Sequence, residues 1–427
     1  MPLIRNHKII DLAIIFLIAI IPFTIYYKFP VIFSQLSTFL LMVLFALIVV
    51  KALSQKNENY FITKTILSIS LPIFLIWILL VSFLSFINYG SFNHLNSLIS
   101  AIIILTILLL LKKAFIDPKL VLKIYTFFAV VAIVGYLIEI VYYFSTKNIL
   151  ILKLPFQISE GYSFSFSYDT RYNNGFVQFS SFFSEKAHFC EYLLPLLGVC
   201  LFDKAIKKST FKALLLSALI LSTSSGIGIV CVLFLWCLKV IWLLVTKKET
   251  HKYLAFILLA IFVMLIVHLI LYNYFPSYQL NFDKLFSASG QSSKADYRVY
   301  RGFDIFNKMP FVEKIFGIGY RQYEPFSLNY YITSIYDGAD TNSEYFSAIT
   351  QILIYFGIIG FLVCFCCIFN LWKKSVIISR AILLVFLLEC FAASILFDSI
   401  FLLYFSLITF FKKGIFVDEE QYQEQIA

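Results

Sequence analysis

The side chains best suited to chemistry crowd between Arg171 and Glu191. Arg171-Tyr-Asn-Asn-Gly-Phe is a polar, aromatic loop, and Phe182-Phe-Ser-Glu185-Lys-Ala-His188-Phe-Cys-Glu191 leads from it straight into an apolar run. A guanidinium, a carboxylate and an imidazole therefore stand at the mouth of a membrane span, where charge is costly and by default functional. Arg298, Arg301 and Arg321 follow further along the chain. An arginine fork grips a phosphate with two hydrogen bonds and keeps its proton. Glu185 or His188, within reach of a hydroxyl, could serve as general base. Tyrosines and phenylalanines such as Tyr297 suit sugar faces and the membrane interface. Together these groups describe transfer of a glycan off a lipid diphosphate, with the sugar–phosphate bond as the driving force.

Each group also has a plainer reading. The arginines can solvate an outer surface. Glu185 can pair with Lys186 or a lipid headgroup, and His188 can be a hydrogen-bonded interfacial histidine. Glu185-x-x-His188 has one helical turn's spacing, but a bundle-type metal site needs further ligands, so no metal and no cofactor are expected. Glu139, Glu389 and Asp398 lie in or beside apolar runs, as relay carboxylates or as plain contacts between helices.

These residues need a scaffold, and composition says which kind. The chain has 427 residues, 61% hydrophobic and 14% charged, with a net charge of +10. A water-soluble domain carries about 25% charged residues, so lipid must be the solvent. Nucleic acid is excluded as a partner, because the lysines form short clusters between apolar runs rather than a basic face. The 8 cysteines lie in or beside apolar runs with no CxxC pair, and read as small apolar side chains.

The apolar runs predict an all-α, polytopic membrane protein of about twelve spans, forming a single integral membrane domain over residues 1–427. The spans are Ile9–Tyr27, Val31–Val50, Ile62–Ile87, Leu95–Leu111, Leu120–Phe144, Phe189–Phe202, Phe211–Leu221, Ile227–Val245, Tyr253–Phe275, Phe346–Trp372, Val376–Leu396 and Ile400–Phe411. Phe189–Phe202, Phe211–Leu221 and Ile400–Phe411 are short, and extend into polar flanks or are partly re-entrant. The first run lacks a small-residue cleavage site and reads as a retained span. Lysine clusters recur in every second connection, around Lys51, Lys113, Lys208, Lys248 and Lys374. By the positive-inside rule both termini are cytoplasmic, and the long loops 145–186 and 276–345 lie outside. The second loop is too long for an ordinary connection and too apolar for disorder. The helical spacing of Arg298, Arg301 and Ile305 predicts that it is partly helical. Gly317-Ile-Gly319 allows a tight backbone turn but is no dinucleotide fingerprint.

At this level the chain resembles the O-antigen polymerase and O-antigen ligase superfamily of bacterial envelope polysaccharide synthesis. Four stretches carry the resemblance: Arg171…Gly175-Phe176 with Phe183-Ser184-Glu185-Lys186-Ala187-His188-Phe189; Leu221-Ser222-Thr223-Ser224-Ser225-Gly226; Arg298/Arg301 with Phe316-Gly317-Ile318-Gly319; and Asn342-Ser343-Glu344-Tyr345-Phe346 leading to Tyr355-Phe356-Gly357-Ile358-Ile359-Gly360. The resemblance implies a metal-independent glycosyltransferase of the bacterial cytoplasmic membrane. It implies polyprenyl-diphosphate-linked glycan as donor, an inverting attack by an acceptor hydroxyl, and arginines holding the diphosphate. Tyr297, Asn342 and Glu344 would then hold the acceptor glycan. Two positions depart from the family pattern: Lys186 replaces a frequent proline, and loop 276–345 lacks the histidine that ligases place there. The expectation is therefore a capsule- or O-antigen-type polymerase, with a chain-length regulator and a flippase as partners, and with a ligase as the alternative. A flippase or transporter of lipid-linked oligosaccharide is a third reading, but no internal repeat of the transporter kind is visible.

Overall fold

The computed structural model describes residues 2–29, 35–54, 67–89, 95–111, 116–173, 176–203, 209–246, single positions between 262 and 279, 294–334 and 346–411. Asn342 and Glu344, and most of the expected span Tyr253–Phe275, lie outside the described residues.

Apolar runs give the long helices α1 (Pro2–Thr24), α2 (Leu36–Ser54), α3 (Leu67–Tyr89), α4 (Leu95–Leu111) and α5 (Pro118–Thr146). After the short turns α6 (Glu160–Ser163) and α7 (Tyr168–Arg171) come α8 (Lys186–Phe202), α9 (Ser209–Ser222) and α10 (Gly226–Thr246). The expected outer loop is partly helical, with α11 (Lys294–Lys308), α12 (Phe311–Phe316) and α13 (Tyr323–Tyr330). The chain closes with α14 (Ala348–Lys373), α15 (Ile377–Ala392) and α16 (Ser399–Phe410). Among the described residues the only strands are a two-residue antiparallel pair, Tyr172–Asn173 with Phe176–Val177. Among those residues, 5 helices are long and apolar enough to cross a membrane, and Leu95–Leu111, Ser209–Ser222 and Ser399–Phe410 are shorter apolar helices.

The middle of the bundle is α8. Every residue from Phe189 to Phe202 is buried, as expected of a helix that is apolar all round. It packs against α5, α9, α10, α15 and α16. Pro195 in α8 has no N–H to give the Glu191 carbonyl. The Tyr404 hydroxyl of α16 lies 3.0 Å from that oxygen and 2.7 Å from Glu389 Oε1, so a buried carbonyl keeps a partner.

The first connection departs from the lysine alternation. Tyr27 bridges to Ile158, and Lys28 pairs with Glu160 at 2.6 Å, so this lysine sits on the side of loop 145–186. At the opposite end of α1 and α2, Lys51 is buried against Asp11, which places those helix ends side by side.

Candidate functional site

The turn before α8 is built around Arg171 and Glu139. Arg171 is buried, and its Nη2 donates to the Phe183 carbonyl at 2.8 Å while Nη1 donates to Ser180 Oγ. From the other side, Glu139 of α5 accepts the N–H groups of Ser180 (3.0 Å) and Ser181 (2.8 Å). Ser181 is held at a positive φ of 56°, a conformation that non-glycine residues adopt rarely. Two oppositely charged groups thus clamp residues 178–184. Glu185 follows as the N-cap of α8 with extended backbone, and its side chain makes no capping hydrogen bond. The helix dipole favours a carboxylate at that end, and the group stays exposed to the recess.

One turn along, His188 Nδ1 lies 3.0 Å from Glu191 Oε2. His188 precedes the buried apolar run that begins at Phe189. Burial alone lowers its imidazole, but the charge and hydrogen bond of Glu191, with Glu185 and Asp398, outweigh this and hold it up at about 9. Cys190 reaches Thr223 Oγ1 at 3.1 Å. The Ser222–Gly226 turn between α9 and α10 therefore borders the same mouth.

The third contribution comes from a chain crossing. Gly357 interrupts α14 with φ 67° and ψ −173°, which frees carbonyls on its N-terminal side. The N–H of Ile318 donates to the Ile354 carbonyl at 3.1 Å, and that of Gly319 to the Tyr355 carbonyl at 2.9 Å. Trp77 of α3 donates from Nε1 to the Phe356 carbonyl at 2.9 Å. Gly317, at φ 89°, lies so close that a Cβ there would strike the Tyr355 carbonyl oxygen, and a Cβ at Gly357 would strike that of Ile315. Gly317-Ile-Gly319 and Tyr355-Phe-Gly357 thus cross backbone to backbone. The turn leaving this crossing carries Arg321, exposed and at φ 54°, with its guanidinium 5.9 Å from the Tyr320 ring centre.

Asp398 completes the group. The connection between α15 and α16 folds back into the bundle, where Phe397 packs on Phe74 (6.2 Å), Tyr320 (5.6 Å) and Phe356 (6.1 Å). The helix that follows, α16, has 12 residues. Asp398 caps it, accepting the Phe401 N–H at 2.8 Å. Burial raises the Asp398 carboxyl to about 7, the Phe401 N–H opposes this, Glu191 adds to it and His188 opposes it. Tyr162 reports the convergence. Burial raises its hydroxyl, and it also feels the charges of Asp398, Arg321 and Glu185.

Arg171, Glu185, His188 and Arg321 are thus brought to one region. Arg301 is fully buried, with its guanidinium 5.7 Å from the Tyr323 ring and 4.9 Å from the Phe346 ring. The helical-face reading was right that Arg301 and Ile305 go together: both are fully buried. Tyr297 and Arg298 are on α11, among residues whose side chains are not described. Asp398 was noticed in the sequence only as a carboxylate beside a span, and Glu191 as the end of a motif. What marks them is proximity across the fold, which no spacing along the chain reveals. Among the described residues, no group of three or more metal-ligating side chains occurs.

Residues 211–366 match a family model described as O-antigen ligase. The match takes in the Ser222–Gly226 turn, the Gly317–Gly319 crossing with Arg321, and Gly357, but neither Arg171–Glu191 nor Asp398. No curated protein matches the chain.

Proposed function

Starting from a chain that residues 211–366 tie to the O-antigen ligase and polymerase superfamily, we propose that it is a polysaccharide polymerase of the bacterial cytoplasmic membrane. It would move a growing glycan from a polyprenyl diphosphate onto a lipid-linked repeat unit at the outer face. The observation that carries this reading is that the charges of Asp398, Arg321 and Glu185 all act on the Tyr162 hydroxyl, while that of His188 acts on Asp398.

In the proposed reaction an acceptor hydroxyl attacks the anomeric carbon of the donor sugar. A glycosidic C–O bond forms, and the bond between that carbon and the diphosphate oxygen breaks. The diphosphate leaves with the electron pair, held by Arg321 and by Arg298 of α11, without a metal ion. Asp398, with a carboxyl near 7, takes the hydroxyl proton, since a base works best with a pKa near the working pH. Glu185 orients the acceptor. His188, mostly protonated at neutral pH with its value near 9, is a cation that steadies Glu191 rather than the base. Arg171 shapes the turn that presents Glu185. Arg301 locks α11 to the start of α14. Tyr297, Asn342 and Glu344 are proposed to hold the acceptor glycan.

The family description favours one second reading, ligation of finished glycan to another acceptor. Deleting the gene and running surface polysaccharide on a gel separates the readings. Collapse of the ladder to one repeat unit is the expected result. Polymer left unattached would mean a ligase, and lipid-linked unit trapped on the inner side would mean a flippase. A chain-length regulator and a flippase are the expected partners of a polymerase.

A further inference from the structure

Part of the outer loop lies below the ends of the membrane helices. From Phe316 to Phe326 the chain runs along α3: Phe316 stacks on Trp77 at 6.0 Å, the Ser85 hydroxyl meets the Ile318 carbonyl, and Phe326 packs on Tyr89 at 6.1 Å. Trp77 lies twelve residues before the outer end of α3 at Tyr89, about 18 Å at the rise of an α-helix. Gly357, where Gly317 crosses, lies nine residues into α14, about 14 Å from its outer end. Trp77 donates to the Phe356 carbonyl at 2.9 Å, so both distances describe one contact, well inside the ends of both helices; a hydrocarbon core is about 30 Å thick.

The faces that continue from this point are apolar and uncovered. On α3, Ile73, Ile76, Leu80 and Phe83 are exposed, and on α14, Ile358 and Leu362. The α12 turn packs against α14 and carries Phe311 and Val312, 75% and 61% exposed. Its two charges each have a protein partner: Lys314 donates to the Asn307 carbonyl at 2.7 Å, and Glu313 accepts the Tyr330 hydroxyl at 2.9 Å, both at exposed positions. The non-helical backbone of Ile318 and Gly319 is satisfied by the carbonyls of α14. Irregular backbone survives at membrane depth only under that condition.

We infer that α12 is a re-entrant turn sunk into the outer leaflet, with Phe311 and Val312 against lipid acyl chains. The lipid surface that wraps α3 and α14 continues over α12. The Gly317–Gly319 crossing, and Arg321 beyond it, then hang from an element held in the bilayer rather than from a loop in water. The inference rests on the membrane reading alone and stands whether the protein is a polymerase or a ligase.

Cysteine reactivity in liposomes tests it. Phe311→Cys and Val312→Cys are each treated with a membrane-impermeant maleimide, and labelling is read peptide by peptide by mass spectrometry, so the native cysteines can stay. Tyr331→Cys, at a position 89% exposed, is the water reference, and Ile76→Cys on α3 is the lipid reference. Both test variants are read in protein that melts like wild type. The expected result is labelling at least about tenfold slower than Tyr331→Cys and close to Ile76→Cys, since a thiol in hydrocarbon stays protonated and unreactive. Labelling of either variant at the rate of Tyr331→Cys overturns the inference and places α12 in water.

Discussion

Asp398 and His188 set the charge state of the recess, and the cause is local. Asp398 is raised to about 7, first by burial, and His188 is held at about 9 by Glu191, Glu185 and Asp398 against its own burial. The proposed reaction needs Asp398 as carboxylate and His188 as imidazolium. The carboxylate is lost as pH falls through about 7, and the imidazolium as pH rises through about 9. The expected profile of kcat/KM is therefore a bell between those values. Asp398→Asn should remove the acid limb and cost about a hundredfold or more, the usual worth of a general base. A wild-type profile without an acid limb would remove Asp398 from the reaction. At this scale the sequence showed the residue types and little of their company. Glu185, His188 and Arg321 were legible because charge beside apolar runs is conspicuous. Asp398 was not, because its partners lie some two hundred residues away in the chain.

At the scale of elements, the Gly317–Gly357 crossing decides where Arg321 stands. Both glycines have positive φ, and each fills space that a Cβ would take from the other strand's carbonyl. At φ 67° and ψ −173° Gly357 occupies backbone open essentially to glycine alone, so Gly357→Ala carries strain of about 1–3 kcal/mol and adds a collision with Ile315. Its melting temperature in detergent should fall clearly below wild type, whereas Leu362→Ala on the exposed face of α14 should change little. Equal melting of Gly357→Ala and wild type would mean that the crossing is not rigid. The sequence shows a Gly-x-Gly turn and, separately, a long apolar run. It does not show that one interrupts the other, because α14 reads as 26 continuous apolar residues, and the interruption depends on a partner backbone. The same limit explains α16. Its 12 residues look too few for a span, and nothing along the chain shows that Phe397 just before it packs on Phe74, Tyr320 and Phe356.

At the scale of the whole molecule, periodicity was the most legible feature, and the lysine alternation is a pattern of the sequence with one exception. The helices follow from apolar runs, and the outer loop is partly helical as its spacing indicated. The exception is Lys28, which the pairing with Glu160 holds on the side of loop 145–186. What the pattern could not give is that α8, one of the shorter runs, is the axis on which five other helices pack. Burial on every side leaves no periodicity to read. The architecture brings a cation on the outer loop and carboxylates at two helix starts to one recess, and the proposed transfer depends on that meeting. It is tested most directly by the rate at which purified protein in liposomes lengthens a lipid-linked repeat unit, with Arg321→Ala measured beside wild type. Loss of one charge-assisted contact to phosphate costs about 1.5–3 kcal/mol. The account predicts polymer from wild type and a rate lower by about tenfold to a hundredfold from Arg321→Ala. Polymerisation by Arg321→Ala at the wild-type rate would contradict it.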